Sequence, residues 1–124
     1  MSRKILIADD EPNIVISLEY LMKREGYTVL VARDGQEALD TIARERPDLV
    51  LLDVMMPKKS GFEVCQAVRA SEDLQATKIL MLTAKGRDTD LAKGLALGAN
   101  AYMTKPFSTR ELVQKVAEML GKQP

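Results

Sequence analysis

The stretch Pro47–Gly61, "PDLVLLDVMMPKKSG", decides how this chain is read. Leu49 to Leu52 form its most apolar short run, and the run ends in a carboxylate, Asp53. A bare charge beside a buried segment costs free energy unless another group holds it. Four further apolar runs recur: "KILIA" (Lys4 to Ala8), "TVLVA" (Thr28 to Ala32), "KILML" (Lys78 to Leu82) and "AYMT" (Ala101 to Thr104). The first four of the five, in chain order, are nearly continuous and rich in Ile, Val and Leu. Strands covered on both faces of a parallel sheet read this way.

Helical spacing fills the intervals. Ile14, Leu18, Leu21 and Met22 share one face; so do Leu39, Ile42 and Ala43, then Cys65 and Val68, then Leu91 and Leu95, then Leu112, Val116, Met119 and Leu120. Pro12 suits a first helical turn and Gly26 a helix stop. Asp34, Ser60 and Ser108 are candidate N-caps, and Ser108 with Glu111 has the spacing of a capping box. The order is five strand–helix units with short loops. With right-handed crossovers this is an α/β fold, a parallel sheet with helices on both faces. Residues 1–124 are expected to form one domain, since the chain shows no linker, repeat or low-complexity tract.

Composition narrows the function. Lys plus Arg is 18 and Asp plus Glu is 18, so no basic excess speaks for direct nucleic-acid binding. No run approaches the ~20 apolar residues of a membrane span, and no signal peptide opens the chain. Cys65 is the single cysteine, so an internal disulfide is impossible and a cytoplasmic setting is expected. With no histidine, Ser/His and Cys/His catalysis and the usual zinc sites are excluded.

In such a fold, ligands bind beyond the carboxyl ends of the strands. Strand one is followed by Asp9, Asp10 and Glu11, strand three by Asp53, strand four by Thr83 and Ala84, and strand five by Lys105 and Pro106. Like charges about 4 Å apart repel by roughly 4 kcal/mol at an effective dielectric of ~20, more than one lysine offsets for three acids. A divalent cation relieves them, and Asp9, Asp10 and Asp53 offer magnesium a half-shell of oxygen ligands. Thr83 and Lys105 are donors, which a cation does not need. A phosphoryl group does need them, since it brings about −1.5 to −2 charges and three acceptor oxygens. The Ala84 amide is a further candidate donor. A carboxylate can itself carry the phosphoryl as a nucleophile, and Asp53 lies between the acids and the donors.

At these residues the chain resembles a known family. "ILIADDEP" (5–12), "PDLVLLDVMMPKKSGFEV" (47–64), "KILMLTA" (78–84) and "GANAYMTKPFSTREL" (98–112) are similar to the receiver domain of two-component response regulators. The resemblance implies a flavodoxin-like (βα)5 fold with strand order 2-1-3-4-5. It implies phosphoryl transfer to Asp53 from a histidine kinase or histidine phosphotransfer protein. It implies Mg2+, with Mn2+ able to substitute, held by Asp10, Asp53 and the Met55 carbonyl, and by Asp9 largely through water. Lys105 would pair with Asp53 or its phosphoryl, and a cis Lys105–Pro106 bond is implied. Thr83 and Tyr102 would be the switch pair, remodelling helix four (about Thr89 to Leu97), strand five and helix five for a downstream effector or output domain, or for a phosphorylation-dependent dimer. Such a domain is a switch that slowly hydrolyses its own aspartyl phosphate, not a turnover enzyme.

Departures are informative. Where DNA-binding relatives commonly have "GADDY", this chain has "GANAY", with Asn100 and Ala101. Helix five carries Arg110, Lys115 and Lys122, but Ala117 falls at a usual arginine position, which weighs against the salt-bridged dimer of that subfamily. Met55 and Lys85, at positions tied to dephosphorylation rate, do not readily orient a water, so a long phosphoryl lifetime is expected. Glu11 reads as a solvated neighbour, Cys65 as a buried, unreactive thiol, and the methionines as core filler. Among rivals, a flavin-binding flavodoxin lacks its Gly/Ser/Thr phosphate loop here, because "DDEP" stands in that place. An aspartyl-phosphate phosphatase lacks its second acid, because Met55 holds that position. A receiver-like scaffold that binds partners without phosphorylation is the remaining alternative.

Overall fold

The runs of Val, Ile and Leu form five parallel strands: β1 (Lys4–Ala8), β2 (Thr28–Ala32), β3 (Leu49–Asp53), β4 (Lys78–Ala84) and β5 (Ala101–Lys105). They alternate with α1 (Pro12–Arg24), α2 (Gly35–Glu45), α3 (Gly61–Ala70), α4 (Asp88–Ala96) and α5 (Thr109–Met119). The computed structural model describes residues 3–84 and 88–121. Strand order is β2-β1-β3-β4-β5, as the resemblance implies. None of the described helices is long and apolar enough to cross a membrane.

Within each continuous apolar run, alternate residues serve opposite faces. Ile5, Ile7, Leu49, Leu51, Leu80 and Leu82 pack with Val15, Leu18, Met22, Leu112 and Val116 of α1 and α5. Leu6, Ala8, Val50, Leu52, Ile79 and Met81 pack with Ala38, Ile42, Val64, Cys65 and Val68 of α2 and α3. All of β3 is buried, as its position at the centre of the sheet requires. β2 departs from the sequence reading: it is an edge strand, only Ala32 of it is fully buried, and Val29, Leu30 and Val31 are partly exposed on both faces.

Local chemistry ends and starts the helices as expected at most points. Pro12 opens α1, and Gly26 follows it at φ 91°. Asp34 and Ser60 accept from the backbone N–H groups of Glu37 and Glu63. The complete capping box is at Ser60, where Glu63 also accepts from the Ser60 N–H at 3.0 Å. At Ser108 one half of the box is present: its hydroxyl accepts from the Glu111 N–H at 3.0 Å.

Two face assignments are corrected. Ala43 is exposed, and Ala38 and Thr41 are buried in α2 instead. Leu95 is 43% exposed, and Gly94 is the buried residue of α4, lying against Met81. A nine-residue helix that meets the sheet through a glycine lets its flanking leucines ride higher. Its far end is tied down by polar contacts that periodicity does not reveal. Arg69 of α3 donates to the carbonyls of Gly98 (2.8 Å) and Thr77 (2.9 Å) and to the Asn100 side chain (2.7 Å). The Asn100 side chain also accepts from the Ile79 N–H at 2.7 Å. The asparagine of "GANAY" therefore stitches the start of β5 to β4.

Gly61 couples α3 to Asp53. Its N–H donates to the Val54 carbonyl at 2.8 Å, and an added Cβ would strike the Asp53 carbonyl oxygen. Because the obstacle is backbone, Gly61→Ala is expected to lower unfolding free energy by about 1–3 kcal/mol in urea denaturation. A change below a few tenths would show that the β3–α3 loop yields freely.

Candidate functional site

The sheet register brings the strand-end residues together. Ala8 pairs with Leu52, Asp53 with Leu82, and Ala84 with Lys105. Asp9 and Asp53 each continue the parity of the residues facing α1 and α5, and so does Lys105 after Ala101 and Met103. The three side chains meet. Lys105 Nζ donates to Asp9 Oδ2 at 3.1 Å and to Asp53 Oδ1 at 3.3 Å, and lies 3.5 Å from Glu11 Oε1. Glu11 is thus a partner of the site lysine rather than the merely solvated neighbour that the sequence suggested. The expected cis Lys105–Pro106 bond is present.

Asp9 is fully buried, Asp53 is 6% exposed and Asp10 is exposed. Oxygens of these three acids lie within 4.8 Å of one another, a spacing suited to a metal ion. The donor set is hard oxygen throughout, which fits magnesium or manganese rather than zinc. Asp10, Asp53, Met55, Thr83, Ala84 and Lys105 line a common cavity of about 310 Å³, together with Glu11, Val54 and Asp90. Of the strand-end candidates, Asp10, Asp53, Thr83, Ala84 and Lys105 reach this cavity, and Lys105 links the fully buried Asp9 to it.

Burial pushes the Asp53 carboxyl up from 3.8 to about 6; the Asp9 and Asp10 charges act in the same sense, and Lys105 opposes them. Burial by itself would lower the Lys105 ammonium, but the Asp53 and Asp9 carboxylates outweigh it and the net shift is upward. The ammonium is therefore held charged among acids that it only partly neutralises.

Thr83 and Tyr102 fall on the opposite parity. Met81 pairs with Tyr102 and Thr83 with Thr104, so Thr83 and Tyr102 share one face of neighbouring strands. Thr83 is 2% exposed, and its Oγ1 is the one buried side-chain polar atom among the described residues without a hydrogen-bond partner. Such an atom costs free energy and calls for an explanation. Tyr102 is 42% exposed, so it is not a plain core aromatic. Cys65 is fully buried on α3 and burial raises its thiol pKa, as an unreactive cysteine requires. Lys85 and Lys122 lie outside the described residues.

A family model described as the response regulator receiver domain matches residues 5–117. The chain belongs to this family. A Chloroflexus aurantiacus protein assigned as a response regulator is 36% identical, with 98% of this chain and 100% of that one covered and a TM-score of 0.94. The Vibrio cholerae chemotaxis response regulator CheY4 is 34% identical over 96% of this chain and 99% of its own, with a TM-score of 0.90. The receiver domain of a Pseudomonas aeruginosa sensor histidine kinase is 30% identical, with 98% and 100% covered and a TM-score of 0.90. That domain holds a magnesium ion in its active-site cleft. The receiver fold thus accounts for the sheet order read above, and the receiver domain's acidic cleft is where Asp9, Asp10 and Asp53 converge.

The raised Asp53 pKa has a stability consequence in metal-free buffer. Between pH 3.8 and about 6 the folded chain keeps a proton that the unfolded chain has lost, so stability falls as pH rises through this window. Above it, ionised Asp53 costs at most ~3 kcal/mol. Asp53→Asn is expected to stabilise the metal-free domain by about 1–3 kcal/mol near neutral pH, with the gain vanishing by about pH 4. A gain independent of pH in urea titrations would trace it to something other than carboxylate ionisation.

Proposed function

We propose that this receiver domain is a phosphorylation-dependent switch with Asp53 as the phosphoacceptor. The observation that carries the reading is the convergence on one cavity of a buried acid, a cationic donor and an orphaned hydroxyl: Asp53, Lys105 and Thr83. In the transfer, an Asp53 carboxylate oxygen attacks the phosphorus of a phosphohistidine on a histidine kinase or histidine phosphotransfer protein. The new P–O bond forms as the P–N bond breaks, and the departing imidazole keeps the electron pair and takes a proton from solvent. Asp9, Asp10, Asp53 and the Met55 carbonyl are the groups that would hold Mg2+, or Mn2+ in its place. The ion supplies positive charge to the crowded acids and the phosphoryl oxygens. Lys105 donates to the phosphoryl once it no longer has Asp53 to itself, and the Ala84 amide is a further donor.

Thr83 and Tyr102 convert that charge into shape. A phosphoryl on Asp53 offers Thr83 Oγ1 the acceptor it lacks, and the space it leaves admits the Tyr102 ring. A shift from 1:99 to 99:1 needs ~5.5 kcal/mol of differential interaction, more than one charge-assisted hydrogen bond supplies. Lys105 and the repacking of Thr83 and Tyr102 themselves share the remainder. The surface remodelled is the α4–β5–α5 face, where Leu95 and Tyr102 are exposed. That face serves a downstream effector, an output domain or a second copy. We assign residues 1–124 to one receiver unit working in the cytoplasm, without direct nucleic-acid contact and without turnover beyond slow loss of its own phosphoryl.

Intact-mass analysis after treatment with acetyl phosphate and Mg2+ tests the reading. Wild type is expected to gain one phosphoryl group and Asp53→Asn none; wild type left unmodified there and by a cognate kinase would refute the assignment. The phosphoryl should persist, since exposed Met55 orients no water, and rapid loss in Mg2+ buffer would oppose this. Thr83→Ala should still accept the phosphoryl yet leave Tyr102 solvent-exposed by NMR. A Tyr102 that turns inward regardless would remove Thr83 from the switch.

A further inference from the structure

Glu11 occupies the N-cap of α1 but does not cap it. Ser, Thr, Asp and Asn are preferred at this position because their side chains accept from first-turn N–H groups. The Glu11 side chain makes no such bond. Its Oε1 instead lies 3.5 Å from Lys105 Nζ, while its backbone N–H donates to Asp9 Oδ1 at 2.9 Å. A residue that breaks the local preference and turns towards a site lysine points to a role in that site.

Among the described residues Lys105 has three carboxylate neighbours, Asp9, Asp53 and Glu11. The first two belong to the acid group that could hold a cation; Glu11 does not. A cation on Asp9 and Asp53 competes with the ammonium for the same two carboxylates. The Lys105 side chain is only 18% exposed, so an ammonium displaced there without an anion is poorly solvated. Glu11 is 61% exposed, which leaves its carboxylate free to follow the ammonium.

We propose that Glu11 is a positioning residue for Lys105: its carboxylate retains the ammonium beside the cavity when a divalent cation takes Asp9 and Asp53. Glu11 therefore favours cation binding through Lys105 rather than by touching the cation. This rests on the reading of Asp53 as a phosphoacceptor that works with a divalent cation.

The test is a Mg2+ titration of the unphosphorylated chain by calorimetry, with Glu11→Gln, Lys105→Met and the double variant. An exposed ion pair sets the scale: Glu11→Gln should weaken Mg2+ binding about two- to fivefold. In the Lys105→Met background the same change should have almost no effect. Equal weakening in both backgrounds would assign the effect to bare charge and overturn the proposal, as would no weakening or a tightening in wild type. The Lys105 Nζ resonance gives a second check that needs no lysine variant. Glu11→Gln should shift it more in Mg2+-saturated protein than in metal-free protein; the reverse order overturns the proposal. A wild type that binds no Mg2+ at millimolar concentration would overturn the metal reading along with it. A binding wild type that behaves otherwise than expected at Glu11 overturns the Glu11 role alone.

Discussion

Asp9 and Asp53 stand at the ends of adjacent central strands, both are buried, and burial together with the neighbouring Asp9 charge makes ionised Asp53 expensive. Lys105 is the counterweight. Its ammonium spans the two carboxylates at 3.1 and 3.3 Å, and their pull outweighs the burial that by itself would lower its pKa. The surrounding architecture can be understood as what this arrangement demands: rigid strands to fix the acids, a register that sets Lys105 beside Ala84, and a loop anchored through Gly61 behind Asp53. A site so arranged is stable enough to exist yet unsatisfied enough to favour an incoming cation or phosphoryl group.

The two faces of the sheet divide the labour. Asp9, Asp53 and Lys105 continue the face covered by α1 and α5, whereas Thr83 and Tyr102 continue the other. The charged groups thus lie on one side of the sheet and the proposed switch pair on the other, with β4 lying between β3 and β5. Little of α4 is buried. Gly94 alone is buried against the sheet, and Arg69 holds the Gly98 carbonyl just past its C-terminal end.

Much of this was legible in the sequence. The apolar runs mark all five strands, and the strand-end rule points to Asp9, Asp10, Asp53, Thr83 and Lys105, which the fold brings together. The misses share a cause. Ala43 and Leu95 lie at helical spacing, but alanine carries little apolar signal and α4 is held off by a glycine, so periodicity could not tell covered from open. Arg69 and Glu11 look like ordinary charged surface residues. Only a structural context reveals the carbonyls that one satisfies and the lysine that the other reaches. The failed cap at Glu11 was the one available signal: a glutamate where a short acceptor is preferred.

By itself the sequence determined the elements, their order and which residues stand at the strand ends, because apolar runs, caps and prolines act over a few neighbours. The tertiary structure decided which of those residues touch. Lys105 lies 96 positions from Asp9 and 52 from Asp53, and no local pattern encodes that meeting. It follows from strand order and register, which fix where side chains of distant segments project. The outward Tyr102, the orphaned Thr83 hydroxyl and the turn of Glu11 towards Lys105 were settled at the same level, because each depends on what a neighbouring element leaves open.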